Sequence, residues 1–124
     1  MTQDAIARLV GISLDCADPR QLADFYVSLL GGRLLSAKDN SAGVEVPGGA
    51  LVAQRVENYK PPTWPGASVV HLDLSADDLD HAVQQALALG ATVPEQPDPR
   101  WRVLLDPAGH PFCLTPFTAA SASD

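Results

Sequence analysis

Four polar side chains in two apolar segments of this 124-residue chain have the types that proton transfer needs. Ser13 and Asp15 alternate with apolar residues near the start, and His71 and Asp73 do so in the middle of the chain. Such alternation predicts strands with one apolar and one polar face. A carboxylate beside a histidine in an apolar cup can act as a general acid/base pair, so His71, Asp73 and Asp15 are the catalytic candidates. The simpler alternative for both aspartates is a solvated strand end or a cap on the following helix.

Aromatic and cationic side chains supply candidate ligand contacts. Tyr59, Trp64 and Trp101 lie in or beside predicted loops, where rings can stack on a flat ligand, and Arg55 has the charge to bind an acidic group. Trp64 fits equally well as a staple for a proline-rich connector or as a dimer contact. Trp101 contributes to a pocket only if its face of the strand points inward.

The composition excludes several classes of function. The net charge of -7 and the pI of about 4.6 disfavour binding to nucleic acid or to an anionic membrane. No apolar run approaches the length of a membrane span, so we expect a cytoplasmic protein. Cys16 and Cys113 are isolated and predict reduced thiols. Motifs of hydrolases, phosphate-binding loops and zinc proteases are lacking.

The hydrophobic pattern predicts the same element order twice, strand–helix–strand–strand–strand. Asp18 is the predicted cap of the first helix, and Asp77 or Ser75 that of the second. Glycines end both helices. The segment Asp106-Pro107-Ala108-Gly109 matches a type I turn, after which His110 is expected to be exposed. The predicted strands are 8–16, 33–37, 43–46, 50–56, 68–74, a short segment around 92–93, 101–105 and 111–115.

The two halves form an internal duplication with an offset of about 60 residues. Each half has one helix to cover one face of its sheet, which leaves the other faces free to line a shared cavity. We therefore expect one domain over 1–124, with modules at 8–56 and 67–117, a connector at 57–66 and a flexible tail at 118–124.

Three stretches together resemble a known family: LDCADPRQLADFYVSLLG, VVHLDLSADDLDHAVQQALALGA and VLLDPAGHPFCL. They are similar to the glyoxalase/bleomycin-resistance (vicinal oxygen chelate) superfamily, and most of all to its compact glyoxalase-like proteins. The resemblance implies an α+β fold of two βαβββ modules that form a cupped mixed sheet. It also implies a small organic molecule as partner and a homodimer. The superfamily contains both enzymes and drug-binding proteins without a reaction.

The resemblance places the metal-binding positions of the superfamily at Gly11, Gln54, His71 and Cys113. Only His71 matches the pattern, because glycine has no side chain, glutamine offers a neutral oxygen and a thiolate suits zinc better than an oxygen-rich site. We therefore expect a small-molecule-binding protein with a degenerate metal site and no cofactor. The expected ligand contacts are Gln54, Trp64, Trp101, Arg55, Ser13 and Cys113.

Two alternatives stay open at this point. His71, Cys113 and Gln54 could hold a divalent ion, namely zinc, nickel, manganese or iron, with Asp15, Asp73 or water filling a gap. The protein could also be an enzyme of the superfamily, a lyase, isomerase or epimerase that uses His71 with or without the metal.

Overall fold

Two units of similar element order follow one another in the computed structural model, which describes residues 5–64, 70–95 and 102–116. Trp101, the predicted tail 118–124 and part of the predicted strand 68–74 lie outside these residues. The elements are β1 (Gly11–Cys16), α1 (Pro19–Leu30), β2 (Arg33–Ala37), β3 (Ser41–Val46), β4 (Gly49–Arg55), β5 (Leu72–Ser75), α2 (Leu79–Leu89), β6 (Arg102–Leu105) and β7 (Pro111–Thr115).

The first unit is a four-stranded mixed sheet in the order β1-β4-β3-β2. Strand β1 pairs parallel with β4, and the other neighbours are antiparallel. Helix α1 packs on this sheet. Leu14 and Cys16 are buried, whereas Ser13 and Asp15 are exposed. The alternation in β1 therefore separates a core face from a polar face, as predicted.

The second unit repeats this topology with a three-stranded sheet in the order β5-β7-β6, again with a parallel first pair. In place of the predicted strand around 92–93 there is an isolated bridge between Thr92 and Leu105. Pro94 follows closely, and a proline has no N–H to extend a ladder. With helices over mixed sheets in both units, the α+β class is confirmed.

The helix caps agree with the sequence at three of four ends. Asp18 caps α1, and Gly31 and Gly90 end the helices in the left-handed conformation. The predicted cap of α2 at Asp77 or Ser75 is wrong, because Asp78 accepts from the His81 N–H at 3.0 Å. Within the described residues, neither helix has the length and apolar character to span a membrane.

The two units meet through a buried polar contact and an aromatic one. The Tyr26 hydroxyl on α1 donates to Asp106 Oδ2 at 2.6 Å, in the turn between β6 and β7. Phe25 packs against Phe112 with ring centroids 5.9 Å apart. The predicted turn at Asp106 is confirmed by the bond from the Gly109 N–H to the Asp106 carbonyl oxygen at 2.8 Å. These contacts hold the second unit against the helix of the first.

Candidate functional site

His71, Asp73 and Cys113 bring three potential ligand atoms together at the second sheet. His71 Nδ1 lies 3.2 Å from Asp73 Oδ1 and 3.7 Å from Cys113 Sγ. All three atoms lie within 4.8 Å of one another. The structure therefore brings two of the three predicted metal-binding residues, His71 and Cys113, together with the predicted catalytic carboxylate of Asp73, whereas Gln54 is not part of the cluster.

The parallel pair β5–β7 creates this cluster. Its register sets Asp73 opposite Cys113, and alternation along the chain places His71 on the same face as Asp73. Cys113 and its neighbour Val103 are buried outside the main hydrophobic core. The side chains of His71 and Asp73 are 35% and 66% exposed, so the cluster has a buried base and an open rim.

Trp64 borders the cluster from the connector. Its ring meets the His71 ring edge-on, with centroids 5.7 Å apart, and the tryptophan is half-buried. A ring in this position offers an apolar surface beside groups that donate and accept hydrogen bonds. The predicted aromatic contact therefore lies next to the predicted histidine.

The Cys113 thiol resists ionisation in this setting. Burial raises its pKa to about 11, and the nearby Asp73 carboxylate contributes to the increase. At neutral pH the uncomplexed side chain is therefore a neutral thiol. A free thiol of this kind is a poor nucleophile.

A second polar group lies on the first sheet. Asp15 stands opposite Gln54 in the parallel pair β1–β4, with Ser13 two residues earlier on the same face. Gln54 Nε2 donates to the Asn40 carbonyl oxygen at 3.3 Å. The carbonyl oxygen of Asp15 lies 2.6 Å from His110 Nε2, which therefore carries the donated proton. Roles for Ser13, Asp15 and Gln54 in ligand binding or catalysis stay predictions.

Arg55 lies apart from Gln54, on the opposite face of β4. It pairs in register with the buried Cys16 and borders a depression of about 400 Å³ at the end of the strand. The depression is lined by Ala17, Arg55, Val56, Glu57, Asn58 and Tyr59. Contact between Arg55 and a ligand at the cluster stays a prediction, as does the role of Trp101.

The four-ligand metal set that the resemblance implies does not fit this chain. Gly11 supplies no ligand atom, and a Cβ at this position would lie 3.1 Å from the Ala50 carbonyl oxygen, so the backbone there is closely packed. Gln54 offers only a neutral amide oxygen, and its Nε2 donates to the Asn40 carbonyl oxygen at 3.3 Å. The structure instead brings together three potential ligands, His71, Asp73 and Cys113, at the strand pair β5–β7.

Sequence reasoning missed a polar network between the units. His110, expected to be exposed, is partly buried, and its Nε2 lies 3.2 Å from the Tyr59 hydroxyl, which donates to the Ala108 carbonyl oxygen at 2.7 Å. Asp106 is 2% exposed and also accepts from the N–H of His110. The turn motif predicts the bend at Asp106. It does not predict the hydrogen bond between Asp106 and Tyr26, because these residues are far apart in the chain.

Comparison with known proteins matches these features to one family. The family model of the glyoxalase-like domain matches residues 11–115. No curated protein matches the chain.

Solved structures share the fold at low sequence identity. A variant of the fosfomycin resistance protein FosX from Listeria monocytogenes, complexed with Mn(II) and 1S,2S-dihydroxypropylphosphonic acid, has 16% identity and a TM-score of 0.69, covering 94% of this chain and 95% of that one. A glyoxalase/bleomycin resistance protein/dioxygenase family enzyme from Burkholderia phytofirmans PsJN has 21% identity and a TM-score of 0.68, covering 87% of this chain and 97% of that one. TioX from Micromonospora sp. ML1 has 23% identity and a TM-score of 0.56, covering 85% of this chain and 94% of that one. With the family model spanning both units, the chain belongs to the glyoxalase-like domain family.

Proposed function

We propose that this protein binds a small organic molecule at the polar face of β5 and β7, over the cluster of His71, Asp73 and Cys113. The observation that carries the proposal is the ring of Trp64 set against the half-exposed His71. An apolar wall beside a few convergent polar groups is the usual construction of a small-molecule site.

The contacts indicate the kind of ligand. The Trp64 ring favours a flat or apolar portion, while His71 and Asp73 offer hydrogen bonds to a polar group at its edge. Drug resistance proteins among the structural neighbours make bleomycin and fosfomycin reasonable first probes. Aromatic compounds without a drug function extend the same series.

Tryptophan fluorescence tests the proposal. The chain has two tryptophans, so the variant Trp101→Phe isolates the emission of Trp64. We expect a saturable change in that emission with at least one probe, and an affinity about tenfold weaker in His71→Ala, as the loss of one hydrogen bond to a polar ligand costs about 1.4 kcal/mol. His81→Ala, an exposed histidine on α2, is the matched control and should bind normally.

The His71–Asp73 pair at 3.2 Å also supports a second function, an enzyme of the lyase, isomerase or epimerase type. A histidine held by a carboxylate can move a proton to or from a carbon centre. The same variants separate the two functions. If the bound compound is converted, and His71→Ala abolishes conversion with unchanged affinity, the site is catalytic; if affinity falls and nothing is converted, the site binds only.

We further propose that the protein is a homodimer in the cytoplasm. Strands β1 and β5 are edge strands of the two described sheets. Leu9, Val10 and Val70, next to those edges, are 81%, 73% and 77% exposed. A second copy related by twofold symmetry would cover both edges at once, because β1 of each chain can approach β5 of the other.

A further inference from the structure

The connector that carries Trp64 is fastened to the turn between β6 and β7 at two points. The Tyr59 hydroxyl donates to the Ala108 carbonyl oxygen at 2.7 Å. Pro61 packs closely against Gly109, since a Cβ added to this glycine would lie 2.6 Å from the Pro61 Cβ. Gly109 also has a φ of 90°, so both its backbone conformation and this contact favour a residue without a side chain. The turn is thus shaped to accept the connector.

The first of these points is tied to both units. His110 Nε2 lies 3.2 Å from the Tyr59 hydroxyl and 2.6 Å from the carbonyl oxygen of Asp15 in β1. The rings of Tyr59 and His110 have centroids 6.1 Å apart. Burial raises the pKa of Tyr59 to about 12, so at neutral pH the hydroxyl keeps the proton that it donates. Tyr59 therefore has a defined position between the two units.

A stiff segment joins these two points to Trp64. Pro61 and Pro62 each have a fixed φ, and proline-rich segments act as semi-rigid spacers. The Trp64 ring then lies edge-on to His71, with centroids 5.7 Å apart. Because Trp64 is only five positions after Tyr59 and two of the intervening residues are proline, the attachment of Tyr59 limits where the tryptophan ring can lie.

We propose that Tyr59 and Gly109 are positioning residues, which hold the Trp64 ring against His71 before any ligand binds. The inference rests on the proposed function, because the ring that they hold is the aromatic wall of the proposed ligand site. A side chain that is already in place costs the ligand less ordering free energy than one that must be immobilised on binding. The flat portion of a ligand, which stacks on this ring, gains most from the arrangement.

The emission of Trp64 tests the positioning without a ligand. The full-length Trp101→Phe protein, in which Trp64 is the only tryptophan, is the parent for all variants. Tyr59→Phe removes the hydroxyl that donates to the turn, and Gly109→Ala places a methyl group against Pro61. Each should shift the emission of Trp64 to longer wavelength and make acrylamide quench it more strongly, because a half-buried ring that is released becomes more exposed to water.

Two matched controls separate positioning from a general loss of stability. Tyr26→Phe removes another tyrosine hydroxyl that bonds across the two units, but one that does not touch the connector. Gly48→Ala changes a glycine with the same φ of 90°, where an added Cβ meets no atom within 4 Å. Both controls should lower the free energy of unfolding and leave the emission and the quenching of Trp64 unchanged.

Ligand affinity measures the consequence for the site. With bleomycin as the probe, Tyr59→Phe should raise the Kd about two- to fivefold, because the loss of one hydrogen bond lowers the fraction of chains whose site is ready to bind. If bleomycin does not bind the parent protein, this result counts against the proposed function for that ligand, whereas the emission without ligand still decides the positioning.

The positioning proposal is wrong if folded Tyr59→Phe and Gly109→Ala keep the emission and quenching of the parent protein. It is also wrong if Tyr26→Phe and Gly48→Ala change them by as much, since the effect would then follow stability and not the connector. Circular dichroism checks that every variant is folded under the conditions of the measurement.

Discussion

Asp106 illustrates how a single buried carboxylate fastens the two units together. Its Oδ2 accepts from the Tyr26 hydroxyl, and its Oδ1 accepts from the N–H groups of Ala108 and His110. The side chain thus shapes its own turn and bonds to a helix of the other unit. Burial raises the pKa of Asp106, although these hydrogen bonds act in the opposite direction. The fold therefore favours the protonated form more than the unfolded chain does.

This pKa shift predicts a pH dependence of stability. A raised folded-state pKa contributes stability that is full below the unfolded value and is lost as the pH rises through the folded value. Asp106→Asn keeps a neutral side chain, so we expect the wild type to lose stability relative to this variant as the pH rises from about 4, the ordinary pKa of an aspartate, to neutral pH. Urea unfolding of both proteins across that range measures the difference.

Tyr26→Phe is the partner variant. It should cost about 1–3 kcal/mol at neutral pH, because a buried carboxylate oxygen loses its donor. The burial argument would be contradicted if the difference in free energy of unfolding between wild type and Asp106→Asn did not change with pH. It would also be contradicted if the wild type became more stable relative to the variant as the pH rises.

At the scale of elements, the start of α2 shows that two adjacent aspartates can have different roles. Asp77 and Asp78 are neighbouring exposed carboxylates, yet α2 begins at Leu79, so Asp78 is the residue whose side chain reaches the third helical N–H, at His81. The apolar stripe of α2 predicts the helix, but not which of two aspartates precedes its first turn.

Substitution of the two aspartates tests this assignment. Asp78→Ala should lower the free energy of unfolding by about 1 kcal/mol, because an N–H at the helix start loses its acceptor. Asp77→Ala, the control, should change it by less than about 0.5 kcal/mol. Chemical denaturation of both variants gives the comparison, and equal losses would argue against Asp78 as the sole cap.

At the scale of the whole molecule, the proposed dimer makes a prediction about the exposed apolar edges. Val10→Lys places a charge beside β1, where contact with a second copy would bury it, and should raise the dimer Kd at least about tenfold. Val93→Lys changes a valine that is 57% exposed but lies away from the edges of β1 and β5, and should leave the dimer intact. Light scattering after size-exclusion chromatography measures both.

If the wild type has the mass of a single chain, the dimer proposal is wrong. If Val10→Lys and Val93→Lys raise the dimer Kd equally, the contact is not specific to the β1 edge.

Local patterns in the sequence determined most of the fold. Alternation in β1, the helical stripe and Asp18 cap of α1, and the turn that begins at Asp106 depend on residues close together in the chain, so the structure agrees with them closely. The two-unit order and the family resemblance follow from the same local signals, repeated once.

Tertiary structure alone decided which polar residues meet. His71 and Cys113 were candidates from the sequence, but the choice of Asp73 over Asp15 or Gln54 as their neighbour depends on the register of β5 against β7. The bond from Tyr26 to Asp106 and the contact of His110 with Asp15 likewise join distant residues. A sequence specifies which faces are polar through local periodicity, whereas the pairing of those faces is set by packing between elements far apart in the chain.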